Sequence, residues 1–299
     1  MREAFAERHP LVNFIYLLSV MLFAMFLTNP VCMVISLMGS FAYSHLLASR
    51  SQKAGTRKKG GVVLLPILAV VIMTPLFSHD GVTVLGYFPS GNALTLEAIL
   101  YGLICGCLLA TMILWLKCAV VLLPSERLIY LCGETMPSLA LVFTMSLRFV
   151  PMFVRQFRQV MDAQRAMGKE PECMTWHQKI RFGADAVSIM LTWALEHAVI
   201  TADSMKARGY GLENRTFYRS CRWTGDDKVL LVLLALLDLG ETALILTGQL
   251  KFWYYPALTG KLMTPGAIAG YLILACLCLI PVGYDRKEER LWKKYESNI

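Results

Sequence analysis

The chain has 299 residues, of which 56% are hydrophobic and 17% charged, with a formal net charge of +8 and a mean hydropathy of +0.53. That balance excludes an ordinary soluble domain and leaves room for several membrane spans. The excess of Lys and Arg collects in a few segments beside apolar runs, as expected of cytoplasmic loops, so no nucleic-acid partner is expected.

Leu11 to Thr28 and Val31 to Leu47 are apolar runs parted by Asn29 and Pro30, which predicts a tight helical hairpin across the bilayer. Met1 to Pro10 is short and charged, and the run after it lacks a small-residue cleavage site, so no cleavable signal is expected. Arg50, Lys53, Arg57, Lys58 and Lys59 form a basic loop, cytoplasmic by the positive-inside rule, which places the N-terminus on the same side. Gly61 to Phe77, interrupted by Pro66 and Pro75, is the third span and leads to an outer loop, Ser78 to Asn92, without Lys or Arg. Leu94 to Leu116 returns inward. Its Gly102 and Gly106, four apart, allow another helix to pack closely, and Lys117 can snorkel to the headgroups.

From Pro124 to Lys228 the character changes to basic segments with amphipathic periods, read as a cytoplasmic helical region. Its most apolar piece, Pro137 to Val154, holds Arg148; were it to cross, the basic segments after it would lie outside, against the charge rule. It is therefore expected to lie against the inner leaflet or the spans. Val229 to Thr247, holding Asp238 and Glu241, and Pro265 to Val282, with Gly266 and Gly270 spaced for helix packing, are the last two spans. Phe252, Trp253, Tyr254 and Tyr255 between them suit an outer interfacial belt, and the basic tail from Asp285 belongs inside.

The expected fold is thus an all-α polytopic membrane protein of about six transmembrane helices. Its regions are 1–123 (four spans), 124–228 (a cytoplasmic block of long amphipathic helices), 229–284 (two spans) and 285–299 (a cytoplasmic tail). Both termini are cytoplasmic, and the setting is the cell inner (plasma) membrane.

Few residues suggest chemistry. The nine cysteines sit mostly inside apolar runs, as small buried hydrophobes; Cys105 with Cys107 and Cys276 with Cys278 are two apart, which on a helix faces them nearly opposite ways. His79 and Asp80 are too few ligands for a metal, and adjacent Glu196 and His197 lack the spacing of a zinc helix. No Walker-type loop occurs, so any ATP is hydrolysed by another chain. Asp238 and Glu241 are ionisable groups in a span, candidates for contacts to a membrane partner; a hydrogen bond within the bundle is favoured for Asp238, and a place near the outer headgroups for Glu241. No catalytic cluster and no cofactor site emerges.

Two amphipathic arms stand out. On the first, Arg148 to Gly168, Phe149, Phe153, Phe157, Val160 and Met167 fall on one side, with Arg148, Arg155, Arg158, Asp162 and Arg165 opposite. Such a helix suits anionic lipid or packing on a second helix. On the second, Ala184 to Lys206, one side carries Asp185, Glu196 and Asp203 and another Met190, Trp193, Ala194, His197 and Ile200. Each arm ends in Ala, a variable residue and Gly: Ala166, Met167, Gly168 and Ala207, Arg208, Gly209. The second tip presents a guanidinium between two small residues, a fork of five donors with little bulk around it.

Leu147, Arg148, Phe149, Val150 and Pro151, then Ala163 to Gly168 (AQRAMG), then Met205 to Gly211 (MKARGYG) with Asn214, Arg215 and Thr216, resemble the T component of energy-coupling factor (ECF) transporters. The resemblance implies a non-catalytic membrane subunit that joins two ABC-type ATPase subunits to a substrate-binding membrane S component, for uptake of a vitamin or other micronutrient. It also implies that the arginine of each Ala-Arg-small tip enters a groove of an ATPase. Ala207, Arg208 and Gly209 match that pattern; the first arm departs, with Met167 where the family usually has arginine. Arg165 lies two residues earlier, turned by about 200° on a regular helix, so either it reaches around or this arm docks through apolar contact. A scaffold that recruits soluble proteins through its basic arms, without ATP, is the other reading.

Overall fold

The computed structural model describes residues 5, 8–50, 60–78, 81–87, 93–168, 175–212, 223–260 and 263–296. Lys53 to Lys59, His79 with Asp80, and Asn214, Arg215 and Thr216 lie outside the described residues. The chain is an all-α polytopic membrane protein whose described residues form two compact units, 1–128 with 221–299 and 129–220.

The first unit is a bundle of α1 (Pro10–Phe26), α2 (Pro30–Arg50), α3 (Gly60–Phe77), α4 (Leu96–Leu122), α8 (Gly225–Leu246) and α9 (Pro265–Glu296). In lipid, apolar side chains gain little by leaving the tails, so close packing and polar contacts must hold helices together. Both are present. Gly39 of α2 meets α9 so closely that a methyl group there would lie 2.6 Å from Cβ of Cys278. Gly102 and Gly106 of α4 receive α3, where an added methyl would lie 3.1 Å from the Val71 carbonyl and 2.4 Å from the Val71 side chain, respectively. Tyr16 of α1 and Tyr43 of α2 stand 6.1 and 6.4 Å from the fully buried ring of Trp115 on α4.

Polar contacts close one end of the bundle. Arg8 donates to Asp227 at 3.3 Å, Phe5 N–H donates to Asp285 at 3.1 Å, and His9 stacks on Trp223 at 3.9 Å. Asp227 is also the third residue of a capping box, its carboxylate accepting from Thr224 N–H at 3.2 Å. At the other end, Tyr254 donates to the Thr28 carbonyl at 2.7 Å and Asn29 caps α2 by accepting from Val31 N–H at 3.1 Å.

Several expectations are revised here. Tyr254 turns inward and is buried, so only part of the aromatic link, Trp253 above all, faces outward as a belt would. Gly266 and Gly270 make room for Gln249 and Leu250 of the preceding loop in place of a helix. Asp238 accepts from Ser19 at 2.6 Å, the bond within the bundle that was favoured, but Glu241 is fully buried with no hydrogen-bond partner among the described residues, not at a headgroup. Two short antiparallel ribbons also appear, β1 (Val84–Tyr87) with β2 (Ala93–Thr95) and β3 (Phe252–Trp253) with β4 (Thr259–Gly260); Thr83 donates to Glu97 beside the first.

α5 (Ser125–Thr135) begins in the first unit and ends in the second, which also holds α6 (Pro137–Ala166) and α7 (Trp176–Ala207). The apolar piece and the basic piece of the first arm are one continuous helix, passing through Pro151. By length and composition, five described helices suffice to cross a bilayer: Pro30–Ala48, Leu96–Leu122, Ser138–Ala166, Gly225–Leu246 and Pro265–Lys287, with Pro10–Phe26 and Pro66–Phe77 shorter apolar helices.

Candidate functional site: the tips of the two arms

α6 and α7 meet through rings. Phe149 lies 6.1 Å from His197 and Phe153 lies 5.4 Å from Trp193, with Phe149–Phe153 and Trp193–His197 contacts along each helix at 6.2 and 5.0 Å. Residue numbers rise on one helix as they fall on the other, so the pair is antiparallel where it crosses. The C-terminal ends therefore leave the crossing in opposite senses, each about 20 Å from it at 1.5 Å per residue.

The inner faces differ in part from the expected ones. On α6 the covered positions run Met145, Phe149, Phe153, Gln156, Val160 and Gln164, while Phe157 is 42% and Met167 68% exposed. On α7 they run Phe182, Ala186, Met190, Trp193, His197, Thr201 and Met205, while Ile200 is 57% exposed. A stripe spaced by four drifts slowly around a helix of 3.6 residues per turn, so a side chain assigned to a wide apolar arc can lie off the narrow line of contact.

The two tips share one backbone design. Ala166 and Ala207 are the last helical residues; Met167 (φ −82°, ψ 13°) and Arg208 (φ −85°, ψ 11°) are the caps. Gly168 and Gly209 follow in the left-handed region at φ +79° and +76°, which glycine adopts without the Cβ penalty. Gly168 N–H donates to the Arg165 carbonyl at 2.9 Å and Gly209 N–H to the Lys206 carbonyl at 3.0 Å; Tyr210 N–H closes the second tip on the Met205 carbonyl at 3.0 Å. The second tip is thus a Schellman motif, and the first shares its glycine turn and the bond from the glycine N–H among the described residues. The Ala-X-Gly spacing is thus the signature of a helix stop, and it projects the X side chain from the same cap position in both arms.

That geometry fixes the register between the arms. Asp162, Arg165, Ala166, Met167 and Gly168 correspond to Asp203, Lys206, Ala207, Arg208 and Gly209, so the counterpart of Arg208 is Met167, and Arg165 matches Lys206. Arg165 lies 3.8 Å from Asp162 in an exposed pair on its own helix surface. Arg165, Ala166, Met167, Gly168, Ala207 and Arg208 are exposed, and Gly209 is half-buried. The caps confirm the alignment that the Ala-X-Gly spacing gives in the sequence. Arg208 also lies at the negative end of the α7 dipole, which favours a cation there.

Residues 5–218 match the CbiQ family, described as cobalt transport protein. This chain belongs to that family. As a CbiQ-family protein it is a transmembrane T component of the ECF type. Among curated relatives it is similar to the energy-coupling factor transporter transmembrane protein EcfT of Listeria innocua serovar 6a, 35% identical over 101 residues, and to EcfT of Bacillus subtilis strain 168, 34% identical over 100 residues. Each match takes in 33% of this chain and 38% of the relative. EcfT of Streptococcus thermophilus is 34% identical over 103 residues, 34% of this chain and 38% of the relative.

Proposed function

We propose that this T component is the coupling subunit of an ECF-type ABC importer in the cell inner membrane, transmitting ATP-driven movement from two ATPase subunits to a substrate-binding membrane S component for uptake of a vitamin or other micronutrient. In this reading α6 and α7 lie on the cytoplasmic side, α1, α2, α3, α4, α8 and α9 span the membrane, and both termini are cytoplasmic. Basic residues of the loops and the tail support that orientation. The observation that carries the reading is the pair of tips with matching helix caps leaving one crossing in opposite senses. Two ends so separated suit two subunits, and a movement of either is transmitted through the ring contacts at the crossing.

Arg208 anchors the second tip, with Ala207 and Gly209 leaving it unobstructed; Met167, flanked by Ala166 and Gly168, anchors the first. A charge-assisted hydrogen bond contributes about 1.5–3 kcal/mol, so Arg208→Glu, which also reverses the charge, is expected to lower ATPase co-purification and transport at least tenfold. Insertion into the membrane should be unchanged. Normal co-purification and transport by that variant would refute the anchoring role, and ATP-independent recruitment of soluble proteins by the arms would favour a scaffold instead.

A further inference from the structure

The two tips agree in everything but one side chain. Their caps have matching φ and ψ, their glycines the same left-handed turn, and their preceding turns an acid and a base at matching positions. Met167 and Arg208 therefore leave the two helix ends in the same direction, one an unbranched thioether and the other an obligate cation. In the last turn before Met167 the charges balance, Asp162 with Arg165; before and at Arg208 they do not, one acid, Asp203, standing with two cations, Lys206 and Arg208.

From this difference we propose that the tips seat in sockets of unlike chemistry, an acidic one for Arg208 and an uncharged, apolar one for Met167, so that the two ATPase subunits present different surfaces to this chain. The inference rests on the coupling role proposed above. A socket whose carboxylate pairs with a guanidinium loses that partner when a methionine enters, and a desolvated charge left alone is strongly unfavourable. A socket shaped for methionine is equally unsuited to an arginine, which brings a cation and five donors into an apolar cleft. Arg165 does not stand in for Arg208, because it occupies the position of Lys206, about half a turn away on the helix.

The test uses the full chain, tagged and purified from its own membranes with the ATPase subunits that accompany it, and measures ATPase retention across a salt series. Met167→Arg and Arg208→Met should each lower retention about tenfold or more, by analogy with the removal of one partner from a buried charge pair, and the exchange of both should be weaker still. Met167→Leu, which keeps an apolar side chain of similar volume, should lose several-fold less retention than Met167→Arg. A photoreactive side chain placed at 167 or at 208 should label two different polypeptides. Retention by Met167→Arg equal to or above that of the parent, or labelling of one polypeptide from both positions, overturns the proposal. A parent that carries no ATPase at all sinks the coupling role itself, an outcome the variants do not produce.

Discussion

The bundle and the arm pair solve the same problem, holding long helices together, by different means. The bundle interlocks backbones at Gly39, Gly102 and Gly106, buries Trp115 between Tyr16 and Tyr43, and ties its ends with Arg8–Asp227, Phe5–Asp285 and Tyr254–Thr28. The arm pair has a short line of rings and few buried side chains, chiefly Val160, Gln164, Phe182 and Ala186. Both units leave apolar side chains uncovered, the bundle at Phe41, Phe77 and Val120 and the arms at Phe157, Leu195 and Ile200, surface that calls for lipid or another protein; they differ in how much interior each one closes. The tightly closed interior thus belongs to one unit and the sparsely closed helix pair to the other.

The sharpest way to break that comparison is Trp115→Ala, which opens a large void at the meeting of three helices; a loss of about 3–5 kcal/mol is expected, read as a lower unfolding temperature of the purified protein. Asp227→Ala removes the partner of Arg8 and one half of a capping box, and should cost about 1–2 kcal/mol in the same measurement, with Asp227→Asn recovering part of it. Phe153→Ala should do least, about 0.5–1.5 kcal/mol for the lost ring contact, while ATP-driven transport falls several-fold because the crossing no longer transmits movement. If Phe153→Ala destabilised the protein as much as Trp115→Ala, the two units would not differ as described.

The sequence made the helical spans, the glycine pair at 102 and 106, and the two Ala-X-Gly tips legible, because each leaves a local mark: a run of apolar residues, a four-residue spacing, a helix stop. What a residue touches across the bundle left no such mark. Gly266 and Gly270 have the same spacing as Gly102 and Gly106 yet receive loop side chains, and Glu241 reads like any acid near a span end until α2, α8 and α9 enclose it. Periodicity identified the arms as amphipathic but overstated the width of their contact, misplacing Phe157, Met167 and Ile200, since helices that cross touch along a short seam. The candidate site was largely legible: the Ala-X-Gly pattern pairs Met167 with Arg208, and the caps add that both side chains leave the same backbone position.

The left-handed glycines have one more consequence. By folding the closing N–H groups back onto their own helices, Gly168 and Gly209 finish each tip without outside help. A partner that arrives meets a knob already in its bound shape, so ordering that knob takes little from the free energy of association. Assembly can then be small in contact area and still specific in geometry, as the coupling role proposed for this chain requires.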